Sequence, residues 1–118
     1  MKKNKIPTYL DGFAIIYRPK VENKSHFGAK LNVKKEEEMD MLYKLAYSQS
    51  SKRLQDLEFA EASGRDLTIK IKTRLVTGIK NSDKVVINGV LYDIIYMDED
   101  RANKELYLYL EENRVVEK

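Results

Sequence analysis

Between Asp66 and Leu110 nearly every apolar residue stands either on a period of two or in a short β-branched run, and that pattern restricts the segment to consecutive strands. Leu67, Ile69 and Ile71 alternate with Thr68, Lys70 and Lys72, which places branched side chains on one face and solvated ones on the other, as in a half-buried strand. Lys84-Val85-Val86-Ile87 and Val90 to Met97 are two further runs joined by Asn88-Gly89. That dipeptide predicts a type I′ hairpin turn, because such a turn needs positive φ at both central residues. Asp98 to Asn103 reads as a solvated polar turn. After it, Leu106, Leu108 and Leu110 alternate with Glu105, Tyr107 and Tyr109, and a β-meander results.

The remainder of the chain adds two strands and a helix. Met1 to Tyr9 is a basic, Pro7-containing lead-in expected to be mobile. Asp11-Gly12 marks a turn into a short strand over Phe13–Tyr17, ended by Arg18-Pro19 because proline cannot donate to a ladder. Lys20 to Lys35 has scattered polarity and no period, and is expected to be a long loop. Met41, Tyr43, Leu45 and Tyr47 recur at intervals of two and predict a strand over residues 41–48, after a charged turn or single helical turn. Residues 51–63 predict a helix: Ser50 or Ser51 is a candidate N-cap, Leu54, Leu57, Glu58 and Glu61 share helical spacing, and Gly64 suits a left-handed C′ position.

A chain of 118 residues forms one domain and buries about two-thirds of its unfolded surface without staples. It has no cysteine, which excludes disulfides, thiol nucleophiles and thiolate metal sites, and which suits a reducing cytoplasm or a particle assembled in one. The 22 basic and 19 acidic residues leave a net charge of only +3, much of it from Lys2, Lys3 and Lys5, and that is no nucleic-acid footprint by itself. No apolar run approaches the roughly 20 residues needed to cross a bilayer, and Met1-Lys2-Lys3 leads into no apolar signal core. A soluble, non-secreted protein with no membrane partner is expected.

Residues that could carry chemistry have plain readings. His26 is the single histidine, has no partner motif, and reads as an exposed loop residue. Asp98-Glu99-Asp100 lacks the alternating ligands and closing glutamate of a calcium loop. Ser48, Ser50 and Ser51 lack a nucleophile elbow, and no glycine-rich phosphate cradle is present. The expectation is therefore no enzyme, no catalytic residue, no metal and no cofactor. Lys70, Lys72 and Arg74 beside Tyr107 and Tyr109 resemble the basic, aromatic face on which small barrels stack single-stranded nucleic acid, although lysines and tyrosines also solubilise and pack ordinary strands. Phe13–Tyr17 and Val90–Met97 are apolar on both faces, more than a lone barrel and one short helix would cover, which points to an interface.

The order Leu67-Thr68-Ile69-Lys70-Ile71-Lys72-Thr73, a linker, Lys84 to Asp100 with its central Asn88-Gly89, and Lys104 to Glu112 resembles the C-terminal half of the phage head-tail adaptor family. Ser51 to Arg65 is similar to the helix that precedes that half, and the likeness runs from about Met41 to Glu111. No residue in it is a chemical signature; the order of elements carries it. The expected fold is mainly β, a small antiparallel β-barrel or curved sheet of five to six strands with one inserted α-helix.

The resemblance implies a structural component of a tailed-phage or prophage neck. It would close the portal channel, join head to tail and reside in the virion neck after assembly in the host cytoplasm. Implied partners are copies of itself in a ring, portal-proximal adaptor and tail proteins, and packaged DNA through non-specific contact. Tyr92, Ile95, Met97, Tyr107 and Tyr109 are the candidate subunit contacts, and Lys20, Lys24, His26, Phe27 and Lys30 the candidate channel or partner loop. A tail-completion or tail-terminator protein is the alternative within that class, and a single-strand nucleic-acid-binding barrel the alternative outside it.

Overall fold

A computed structural model describes residues 9–19 and 39–113. Six strands, β1 (Gly12–Pro19), β2 (Met39–Ser50), β3 (Ile69–Arg74), β4 (Lys84–Ile87), β5 (Val90–Asp100) and β6 (Glu105–Glu112), and one helix, α1 (Leu54–Ala62), make up the regular structure. The strands close into an antiparallel barrel in the order β1-β2-β3-β6-β5-β4, with β4 pairing back onto β1. The expected small barrel with one inserted helix is what forms. The long loop expected over Lys20–Lys35 and the lead-in through Thr8 lie outside the described residues.

Alternation supplies the barrel interior. Ala14 and Ile16 of β1, Leu45 and Tyr47 of β2, Ile71 of β3, Val85 and Ile87 of β4, Ile94 of β5 and Leu106, Leu108 and Leu110 of β6 form one buried cluster. Loop residues 75–83 close one end of it, with Val76 buried in the same cluster and Leu75 and Ile79 packed against it. This loop is held by polar contacts to the wall. Arg18 Nε and Nη2 donate to the two carboxylate oxygens of Asp83 at 2.9 and 3.0 Å, Nη2 also donates to the Gly78 carbonyl at 2.8 Å, and the Tyr43 hydroxyl donates to the Thr77 carbonyl at 2.6 Å. Asp83 has no exposed surface, so its charge depends on Arg18 and on the Lys80 amide that donates to it at 2.7 Å.

The turns follow their residue chemistry. Asn88 and Gly89 have φ of 52° and 79°, the two positive values that a type I′ turn requires, and Ile87 pairs with Val90 across it. The last hairpin differs from expectation: β5 continues through Asp98, Glu99 and Asp100, and the turn falls at residues 101–104 with Lys104 at φ 58°. Asp100 caps that turn through the Asn103 amide at 3.2 Å, so the acidic cluster flanks the turn as strand.

The helix begins later than its serines suggest. Arg53 is the N-cap, and Asp56 Oδ2 accepts its backbone N–H at 2.9 Å, so an acidic N3 residue satisfies the helix start and Ser50 and Ser51 do not cap it. At the other end Gly64, with φ 75°, donates to Glu61 and Arg65 donates to Ala60, the paired bonds of a Schellman stop. Leu67, expected to begin the third strand, precedes β3 and packs instead beside Ala60 and Tyr109 on the outside of the barrel.

Replacing Arg18 with Met removes the partner of a fully buried carboxylate while keeping the aliphatic stem. The substitution is expected to destabilise the fold, by less than the loss of a partner in a fully buried pair because the Arg18 side chain is 37 % exposed. The readout is a lower guanidinium midpoint at unchanged m-value.

Candidate functional site

The barrel's outer surface holds the features that the interior does not explain. On β3 and β6 the outward row is Lys70, Lys72 and Arg74 against Glu105, Tyr107 and Tyr109, because the register pairs Lys70 with Tyr109, Lys72 with Tyr107 and Arg74 with Glu105. α1 lies over this row and over β5, where Ala60, Leu67 and Tyr109 are buried and Ile95 and Tyr107 pack against them.

Helix α1 docks by charge. Its buried residues are Asp56 and Ala60, whereas Leu54, Leu57 and Phe59 remain 70 %, 39 % and 50 % exposed. The helical spacing of Leu54 and Leu57 therefore does not mark the side that packs. Asp56 accepts from Arg53 Nε and Nη2 at 3.3 and 3.2 Å and from Lys70 Nζ at 2.9 Å, and both Asp56 and Lys70 are buried. The Lys70 ammonium also sits over two rings, 5.0 Å from the centroid of Tyr109 and 5.4 Å from that of Tyr107. Rings continue outward from Tyr109 to Tyr96 and from Tyr96 to Phe59, each step 5.3 Å between centroids.

Burial acts to raise the Asp56 pKa, but hydrogen bonds from Arg53 and Lys70 and the Lys70 charge outweigh it and hold the carboxyl down at about 2. Farther along the outer row, Tyr9 donates to Glu105 Oε2 at 3.0 Å. Burial, then that bond and the carboxylate charge, push its phenol up to about 12. Lys72 lies 3.8 Å from the same carboxylate.

These contacts decide what the surface does chemically. Lys70 is engaged by Asp56 and by two rings, Tyr109 is buried, and Lys72 faces Glu105, so the row offers no open stacking platform for bases. Among the described residues no group of three or more His, Cys, Asp or Glu is placed to hold a metal ion, and no helix is long and apolar enough to cross a membrane.

The candidate contacts separate. Tyr92 and Met97 pack against the barrel interior, and Tyr107 and Ile95 lie beside the buried Tyr109 beneath the helix. A register shift between Ile94 and Tyr96 causes this: the period-two reading grouped Tyr92, Ile94 and Tyr96, whereas the bulge sends Met97 inward opposite Leu108 and Tyr96 outward opposite Tyr109. Lys20, Lys24, His26, Phe27 and Lys30 lie outside the described residues.

The expected excess of apolar surface is largely covered from within the chain. Ile15 and Tyr17 of β1 pack with Met39, Val86 and Leu91 in a second outer cluster, and Ile95 is under α1. Among the described residues, Leu10 at 81 %, Phe13 at 55 %, Met41 at 58 % and Tyr96 at 42 % stay exposed, together with the outer side of α1. Exposed Leu54, Leu57 and Tyr96 and buried Asp56 are residues that the sequence did not nominate for the site. Helical spacing groups leucines with leucines and carries no sign that a lysine fourteen residues on will draw the aspartate inward.

Comparison of the chain with protein-family models, with curated proteins and with solved structures returns no match.

The depressed Asp56 pKa gives a definite pH dependence. The folded value lies below the unfolded one, so the stabilisation is present above about pH 4 and is lost as pH falls toward 2, to the extent of roughly 2 kcal/mol. Guanidinium midpoints measured at pH 6, 4 and 2.5 should show the gap between the native chain and Asp56→Asn narrowing across that window.

Proposed function

We propose that the protein is a structural, self-assembling component of a tailed-phage or prophage neck that closes the portal channel and joins head to tail. The likeness of its strand–hairpin–strand order to the head-tail adaptor family supports this reading. The observation that carries it is the placement of the exposed apolar residues. Leu54, Leu57, Phe59 and Tyr96 lie over the β3-β6-β5 side, and Phe13 and Met41 lie on β1 and β2, across the barrel from it. An apolar patch on one side and two separate apolar side chains on the other, Phe13 opposite Ala46 and Met41 opposite Tyr17, suit a head-to-tail contact between copies, the kind that closes into a ring when the rotation permits. A symmetric dimer would need only one side.

In this reading the protein has no catalytic residue, and its partners are its own copies and the portal-side and tail-side proteins of the neck. Tail completion and tail termination place the same kind of ring at other levels of the neck. The nucleic-acid reading draws no support from a lysine that is buried against Asp56.

Sedimentation velocity and negative-stain imaging test the proposal. The expected result is a concentration-dependent closed oligomer, or a ring that forms on purified portal–adaptor complexes, with either lost on Phe59→Glu. A protein that stays monomeric at about 1 mM, where even contacts worth about 4 kcal/mol would show, and that does not join such complexes overturns it.

A further inference from the structure

Three of the residues that the sequence nominates for contact, Ile95, Tyr107 and Tyr109, sit in the cluster that α1 covers. Tyr109 is buried there and Ile95 and Tyr107 are half-buried, so a partner reaches the whole face only if α1 moves, and the way α1 is attached makes motion cheap. A short helix normally docks through an apolar stripe. This one turns Leu54, Leu57 and much of Phe59 to solvent and puts a carboxylate and one methyl group against the barrel.

Its attachments are polar. Asp56 meets Lys70. Past the helix end, Arg65 Nε donates to Glu111 Oε1 at 2.6 Å and the Asp66 amide to Glu111 Oε2 at 3.1 Å, while before it Lys52 Nζ donates to the Thr68 carbonyl at 3.0 Å. Apolar attachment amounts to Ala60, Leu67 and the tilted Phe59–Tyr96 ring contact. β3 pairs with β6 over six register positions and with β2 over three, independently of the helix, so the barrel wall stays intact when the helix leaves.

We infer that α1 is a cover that lifts from a closed barrel, releasing residues 51–66 as a unit and uncovering the Tyr107, Tyr109 and Ile95 face. Nine helical residues do not hold a helix alone in water, so the lifted segment is unfolded and the event is a local opening well below global unfolding. The charged and titratable groups at the latch are Asp56 and Arg53 on the α1 segment, Lys70 from β3, and Tyr107 and Tyr109 from β6; β5 contributes Tyr96 to the adjoining rings. The inference is independent of ring formation and concerns the isolated subunit.

The chain has no cysteine, so single thiols report opening directly. Ala60, 3 % exposed, is on the buried side of α1 itself, and Ala14, fully buried, lies in the barrel interior. Ala60→Cys should react with a thiol reagent at least roughly tenfold faster than Ala14→Cys after correction for each variant's global stability. Adding Asp56→Asn should speed the first roughly tenfold further and leave the second unchanged. Amide exchange of the unsubstituted protein provides the same comparison without any new side chain, with residues 56–62 exchanging faster than Leu108 and Leu110. Equal protection of helix and barrel in amide exchange, or equal acceleration of both thiols by Asp56→Asn, overturns the inference, because the helix would then open only when the barrel does.

Discussion

Everything in this molecule depends on β1 being able to close the sheet. β1 pairs with β2 along its whole length but with β4 at only three register positions, Ile15 with Val86, Ile16 with Val85 and Tyr17 with Lys84. That seam removes the two free edges which an open sheet of these strands would present. It ends at Arg18, whose guanidinium grips Asp83, the residue just before β4. The same carboxylate holds the loop that carries Val76 into the barrel end. Closure and plugging therefore share one ion pair, that of Arg18 and Asp83. Burying the Asp83 charge is costly, and the return is a single register for the closing strand rather than raw stability.

Two bulges distribute the apolar side chains. The β1–β2 pairing skips Leu42 of β2, between the pairs Ile16–Tyr43 and Tyr17–Met41, and the β5–β6 pairing skips Ile95 of β5. Each extra residue reverses the alternation of its own strand, β2 or β5, whereas β1 alternates without a break, with Ala14 and Ile16 inside and Ile15 and Tyr17 outside. Ile16 and Ile94 go to the interior, while Tyr17 and Ile95 go to separate outer clusters. The barrel wall thus carries three apolar clusters, one inside and two outside, and α1 covers one of the outer two.

The helix is the least economical part of the structure. It buries an aspartate, leaves leucines and a phenylalanine in water, and covers tyrosines with a lysine between them. For a monomer that works alone this is poor use of apolar residues; for a subunit that meets copies, the exposed side chains are the contact and the ionic latch sets where it is presented. The Asp56–Lys70–Arg53 group specifies the helix position more than it stabilises it, since a buried pair of this type seldom exceeds what an apolar contact would supply.

Much of the fold was legible in the residues themselves, because the physics that dictated it is local. Strict alternation in Leu106–Leu110 and the positive-φ demand at Asn88-Gly89 are satisfied within a few residues of chain, and the meander, the helix stop at Gly64 and the mainly β class follow from such terms. Barrel closure, the two bulges and the inward turn of Asp56 were not legible. Each depends on a partner far along the chain, Val86 for Ile15, Tyr109 for Tyr96 and Lys70 for Asp56. The sequence by itself determined which segments are strands and where they turn; only the tertiary structure decided which side of each strand is buried and which apolar residues are left for others, because one residue of register reverses every side chain beyond it.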